Sequence, residues 1–265
     1  MSGRVDLRRE GRCASIMLDR PHAKNAMTPA MVDGLRAAVL SLQDDDAVDV
    51  VVLTGAGSDF CAGADVDDIT ALLARGPADR AAAFEDGMRS TIQPLMAAVL
   101  DLPQLLVVAA RGHAVGLGAA LLLAADLTVL SRTARISVPQ VRLGHSPDHG
   151  ESWLLPRKVG LGRALPIALL GAPLTADDAE RFGLATALVD DDRLEATTGG
   201  IVESVLALPS MSIRGTKRLL WQSLEHDRTA QFAMEVRTAA SCAATPDFVT
   251  AIEGRFAGRR TRTGR

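Results

Sequence analysis

The chain has 265 residues, 48% of them hydrophobic and 23% charged, with a formal net charge of −3. That balance describes an ordinary globular protein, long enough for one large domain or a domain with a small appendage. The slight negative charge, 3% aromatic content and lack of Tyr argue against a broad nucleic-acid surface or a base-stacking platform. Cys13, Cys61 and Cys242 are odd in number and far apart, which fits a reducing compartment and no disulfide framework. The start, MSGRVDLRREGR, is charged where a signal peptide is apolar. The apolar stretches, such as 114–125, fall short of the roughly 20 residues that span a bilayer. The expectation is a cytoplasmic protein with no membrane partner.

Residues 4–9 and 12–18 read as two short strands joined at Glu10-Gly11. Thr28-Pro29 is a helix cap followed by proline at the first helical position, and the spacing of Met31, Leu35, Val39 and Leu42 continues that helix to Asp44. Val50–Leu53 is an unbroken apolar run, the pattern of a strand covered on both faces. It ends in the turn Gly55-Ala56-Gly57. A mostly helical stretch over 66–101 is interrupted near Gly76-Pro77, and a second buried strand follows at Leu105–Ala110. Gly112–Gly118 then turns the chain into an apolar helix, and Leu127–Leu130 is a third strand. Helices are expected near 151–158, 161–170, 175–183, 192–206, 210–224 and 227–243, with Thr245-Pro246 starting a last one. Strands alternating with helices indicate an α/β fold with largely parallel pairing. The arginines at 255, 259, 260, 262 and 265 read as a solvated tail.

Two segments stand where a buried strand hands over to a helix: Phe60-Cys61-Ala62-Gly63-Ala64-Asp65 and Gly112-His113-Ala114-Val115-Gly116-Leu117-Gly118. Small residues there let a ligand approach the backbone, and N–H groups at helix starts are unpaired within the helix. Two such turns side by side form an oxyanion hole. Taken singly, glycines after strands only make turns. A dinucleotide-binding reading fails, because Leu121 stands in place of the third glycine.

Four stretches in this order resemble the enoyl-CoA hydratase/isomerase (crotonase) family. They are LDRPHAKNA (18–26), VVVLTGAGSDFCAGAD (50–65), RGHAVGLGAALLLAADL (111–127) and ISVPQVRLGHSPDHGESWLLPRKVG (136–160). The likeness runs over nearly the whole chain to Glu253-Gly254. It implies a crotonase-like (ClpP/crotonase) spiral of ββα units over 1–195. A C-terminal helical layer over 196–265 is implied to serve trimerisation, with trimers pairing into hexamers. It also implies a coenzyme A thioester as substrate, with no separate cofactor and no metal.

By the same resemblance, the oxyanion donors are the main-chain amides of Ala64 and Leu117. Leu117 replaces the usual glycine and is expected to narrow or redirect the pocket. Lys24, Ala26, Ala62 and Val66 match positions that hold the adenine and pantetheine. Phe256 and Arg259 match positions that reach a neighbouring subunit's CoA. His113 is expected to line the acyl pocket, and Pro139 and Gln140 fall among the acyl-binding positions. The two hydratase glutamates are replaced by Ala120 and Gln140, neither of which transfers a proton readily at neutral pH. Asp148 matches a position where isomerases of the family carry an aspartate base.

Asp148 also has a structural reading. Asp148-His149-Gly150-Glu151 has the spacing of a capping box. Three functions follow: an isomerase with Asp148 as base, a hydratase using Glu151 or another acid, or a non-catalytic acyl-CoA binder. His145 and His149 are four apart, but Pro147 between them breaks any shared helical face, so a metal site is not expected.

Overall fold

A computed structural model describes residues 3–260, with side chains through Phe256. In chain order its elements are β1 (Arg4–Glu10), β2 (Cys13–Asp19), α1 (Pro29–Gln43), β3 (Val50–Gly55), α2 (Val66–Leu73), α3 (Pro77–Gly87), α4 (Gln93–Leu100), β4 (Leu105–Ala110), β5 (His113–Val115), α5 (Leu117–Ala124), β6 (Leu127–Ser131) and β7 (Arg135–Ser137). After a 3-10 turn at Gln140–Leu143 come α6 (Glu151–Val159), α7 (Leu161–Leu170), β8 (Leu174–Thr175), α8 (Ala176–Arg181), β9 (Ala187–Val189), α9 (Leu194–Leu206), α10 (Ser210–Gln222), α11 (Arg228–Ala243) and α12 (Pro246–Arg260). The cap at Thr28 forms as expected, its hydroxyl accepting the Met31 N–H at 3.3 Å.

Six strands form one sheet in the order β1-β2-β3-β4-β6-β9, with β1 antiparallel to β2 and the other neighbours parallel. A smaller sheet has the order β5-β7-β8. A repeating path links them: a strand in the large sheet, a short segment in the small one, then a helix or turn. β4, β5 and α5 make one such unit, and β6, β7 and the 140–143 turn another. The segment after β3 makes a third, because Cys61 bridges to Ala114 of β5 before the chain enters α2. This is the expected ββα spiral. The sequence reading did not find β5, β7, β8 or β9, whose two or three residues are too short to show an alternation.

The large sheet is covered on both faces, which is why its central strands are apolar throughout. Val50, Val107, Ala109 and Val129 pack on Leu194 and Val202 of α9. Val51, Leu53, Leu106, Val108 and Leu130 turn the other way, into the core shared with α1, α4 and α5. The sequence boundary at 195 falls in the first turn of α9, a helix packed under the sheet. Beyond it, α10 is tied to the core by polar contacts. Asp49 receives Arg12 Nε at 2.5 Å and Ser210 Oγ at 2.8 Å, while Asp126 receives Lys217 Nζ at 2.8 Å and Trp221 Nε1 at 2.7 Å. α11 and α12 leave Phe232, Val236, Phe248, Val249 and Ile252 exposed. Among the described residues, no helix is long and apolar enough to cross a membrane.

Candidate active site

The first donor turn is held by a loop that runs alongside it. The Ala62 N–H donates to Lys24 O at 3.0 Å, the Met27 N–H to Gly63 O at 2.7 Å, and the Asp65 N–H to Met27 O at 3.1 Å. In this parallel bridge between Met27 and Ala64, the neighbours of Ala64 make the bonds and its own N–H points away. Among the described residues that N–H has no hydrogen-bond partner, and Ala64 is exposed. Buried Asn25 locks the loop: its side chain donates to Ala56 O at 2.9 Å and Asp59 O at 2.6 Å and accepts the Arg20 N–H at 2.8 Å. Asp65 fixes the far side, accepting the Asp67 N–H at 2.9 Å and pairing with Arg20. The Asp67 N–H, with the Arg20 guanidinium, holds its carboxyl below the usual carboxylate range against the effect of burial.

Leu117 is the first residue of α5, so its N–H has no acceptor within the helix. It has none elsewhere among the described residues either. Cys61 pairs with Ala114 in parallel. Ala64 and Leu117 each lie three residues further on, on the two adjoining turns. This approach depends on glycine: a β-carbon on Gly118 would collide with the Cys61 carbonyl, and one on Gly63 would come within 2.9 Å of Val115 O. The Cys61 thiol between the turns is pushed up to about 12 by burial and stays neutral. The Leu117 side chain is only 1% exposed and packs in the core. Ala120, fully buried, is likewise part of the apolar core.

Beside the second turn lies a cluster of polar side chains. Gln140 Nε2 donates to Glu151 Oε1 at 2.5 Å and to Asp148 Oδ1 at 3.2 Å. His149 Nδ1 lies 3.0 Å from Asp148 Oδ1 and 3.2 Å from Glu151 Oε1. The His149 N–H donates to Glu151 Oε2 at 2.9 Å. A β-carbon placed on Gly116 would stand 3.8 Å from His149 Cε1, so the imidazole is against the donor turn. The expected capping box is not there: Gly150, with φ of 93°, is the N-cap of α6 and Asp148 caps nothing. Side chains of Asp148 and Glu151 are 12% and 0% exposed, so Glu151 is sealed while Asp148 retains an open edge. Its second oxygen, Oδ2, is 3.8 Å from His145 Nδ1, beyond hydrogen-bond reach.

Burial alone would lower the His149 pKa. The Glu151 hydrogen bond and the charges of Asp148 and Glu151 outweigh it, and the imidazole is held above its usual range. For Glu151, burial would raise the carboxyl, and the hydrogen bond and charge of His149 bring it below the usual range. Ligand-type atoms of Asp148, His149 and Glu151 lie within 4.8 Å of one another. Gln140 turns N–H donors rather than lone pairs toward both carboxylates, the pattern of a hydrogen-bonded network.

Two unpaired amides on adjoining turns, beside an acid–imidazole cluster, make up the candidate site. Comparison with known proteins gives the family. The family model for enoyl-CoA hydratase/isomerase matches residues 8–261. The chain belongs to the enoyl-CoA hydratase/isomerase family. A Rhodobacter capsulatus protein designated a probable enoyl-CoA hydratase is 32% identical, over 91% of this chain and 90% of that one. The 1,2-epoxyphenylacetyl-CoA isomerase of Escherichia coli is 32% identical over 75% of this chain and 74% of its own. A Thermobifida fusca structure designated an enoyl-CoA hydratase, solved with acetoacetyl-CoA, superposes with a TM-score of 0.80 at 31% identity, covering 91% of this chain and 94% of that one.

Within this enoyl-CoA hydratase/isomerase family member, Lys24, Ala26, Ala62, Ala64 and Val66 all fall on the paired loops 24–27 and 62–66, with Lys24, Ala64 and Val66 exposed. Lys24 Nζ is 3.5 Å from His113 Nδ1. The same ring nitrogen meets Asp59 Oδ1 at 2.6 Å, and the His113 N–H meets that oxygen at 3.0 Å. Burial acts to raise Asp59, but these bonds and one from Ser58 bring its carboxyl below the usual range. Pro139 heads the turn that carries Gln140. Phe256 is on α12 and partly exposed; the Arg259 side chain lies outside the described residues. Asn25 and the Arg20–Asp65 pair had no role in the sequence reading. The one local signal was Lys24-Asn25, two residues with positive φ of 51° and 55°, a conformation that asparagine tolerates. His149 was read only as a candidate metal ligand, because Gln140, which ties it with Asp148 and Glu151 into one cluster, comes from a separate turn.

Proposed function

We propose that this chain is an acyl-CoA isomerase that shifts a double bond along an enoyl-CoA, with the Ala64 and Leu117 amides as oxyanion donors and Asp148 as base. One observation carries the reading: beside the donor turns, Asp148 is the acid with an open edge, whereas Glu151 is sealed and the hydratase glutamate positions hold Ala120 and Gln140. The thioester oxygen would sit between the two amides. Asp148 Oδ2 would take a proton from the α-carbon, and the electron pair would move into the thioester. The donors would hold the resulting dienolate oxygen, a contribution on the order of 10²–10³ in rate per donor. One carboxylate suffices both to remove the α-proton and to return a proton at the γ-carbon. Gln140 and His149 fix Oδ1 and leave Oδ2 free for this work. The exposed loops around Lys24, Ala26, Ala62 and Val66 would receive the CoA, and His113, anchored on Asp59, would border the acyl chain.

The test is a spectrophotometric assay on 3-enoyl-CoA thioesters. Asp148→Ala is expected to lose about 10²–10⁴-fold in turnover, the usual worth of a general base; undiminished turnover rejects the assignment. A second reading, hydration, is favoured by the designation of the Rhodobacter relative. It requires Glu151 to act, and crotonyl-CoA hydration that disappears in Glu151→Ala would establish it. Binding without turnover across chain lengths would instead mark a non-catalytic acyl-CoA binder. The exposed apolar side chains of α11 and α12 support association with further copies of the chain, which the proposal takes to be a homotrimer or a pair of trimers.

A further inference from the structure

We propose that His149 is a second proton carrier of this site, delivering a proton from Nε2 to the γ-carbon after Asp148 has taken one from the α-carbon. The inference rests on the isomerase reading and replaces its single-carboxylate shuttle with two groups.

The geometry of the ring is the argument. Nδ1 faces Asp148 Oδ1 at 3.0 Å and Glu151 Oε1 at 3.2 Å, so it carries a hydrogen directed at both carboxylates. Gln140 Nε2, 3.3 Å from Nδ1, is a second donor aimed at the same two oxygens. The two carboxylates facing Nδ1 therefore favour its proton. Nε2, by contrast, has no hydrogen-bond partner among the described residues and is not among the atoms sealed from solvent. The ring edge at Cε1 lies against Gly116, one peptide bond from the Leu117 donor. Glu151, fully enclosed, has no surface with which to touch a substrate. Its negative charge favours the cationic imidazole, in line with the raised pKa of His149. Asp148 and Glu151 thus have different tasks, one reacting and one holding the imidazolium.

The step balances. The α-C–H bond breaks, its proton goes to Asp148 Oδ2, and its electron pair enters the thioester as a dienolate. The Nε2–H bond of His149 then breaks as the dienolate electrons form the γ-C–H bond. The oxyanion collapses to the conjugated thioester. Asp148 is left protonated and His149 neutral; Asp148 returns its proton to solvent and Nε2 recovers one.

A 3-enoyl-CoA deuterated at the α-carbon separates the two schemes when turned over once in ordinary water. Wild-type product is expected to carry protium at the γ-carbon. His149→Asn keeps an N–H near the Nδ1 position and removes Nε2. It is expected to turn over at least tenfold more slowly, with deuterium now carried to the γ-carbon by Asp148. Deuterium transfer by wild type overturns the proposal, whatever the variant does. So does a folded His149→Asn enzyme, verified by circular dichroism, with undiminished turnover. Complete lack of a double-bond shift in wild type rejects the isomerase reading, and this proposal with it.

Discussion

The donor turns and the carboxylate–imidazole cluster stand side by side, yet one is made of main chain and the other of side chains. On the proposed reading, Ala64 and Leu117 contribute only their N–H groups at the donor turns, so their side chains are free to serve elsewhere, as Leu117 does in the core. In the cluster, Gln140, Asp148, His149 and Glu151 act through atoms that no other residue type places alike. Backbone machinery survives substitution as long as the turn survives. Side-chain machinery changes its chemistry with each replacement, and on the proposed reading Ala120 and Gln140, at the hydratase glutamate positions, are such changes.

Two variants at one position sharpen that contrast. Leu117→Pro removes the amide hydrogen at a first helical position, where proline is otherwise accepted. Turnover is expected to fall on the order of 10²–10³-fold. Leu117→Ala keeps the hydrogen and loses buried apolar volume. Its turnover per folded molecule is expected to stay close to wild type, while urea unfolding shows a loss of about 2–5 kcal/mol. Equal loss of turnover in both variants would mean that the leucine side chain, and not its amide, matters.

A smaller effect tests the cluster through stability against pH. The His149 pKa is raised, so its contribution is complete below the unfolded value of about 6.5 and fades as pH rises through the folded value. The Glu151 pKa is lowered, so its contribution is complete above about 4.3 and fades as pH falls through the folded value. The difference in stability between wild type and His149→Asn is therefore expected to be greatest between about pH 4.3 and 6.5. A difference that does not vary with pH would show that the pair is not ionised.

Much of the frame was legible because it rests on patterns the chain cannot hide. The apolar runs at 50–53, 105–110 and 127–130 are strands buried on both faces, and glycine-bearing turns follow the first two. What escaped was set by contacts between distant segments. β5, β7, β8 and β9 exist as strands only through their neighbours. Asp148-His149-Gly150-Glu151 has the spacing of a cap, but Gly150 adopts positive φ and starts the helix itself. That frees Asp148 and turns Glu151 inward to meet Gln140 from a turn earlier in the chain. Asn25 reads as one polar residue in a loop until Ala56 and Asp59 are seen around it.

Infrared difference spectroscopy of an acyl-CoA labelled with ¹³C at its thioester carbonyl tests the central claim directly. Two amide donors withdraw electron density from that oxygen, so the bound carbonyl stretch is expected at lower frequency than in water, and Leu117→Pro is expected to reverse part of the shift. A bound carbonyl that absorbs where the free thioester does would contradict the account.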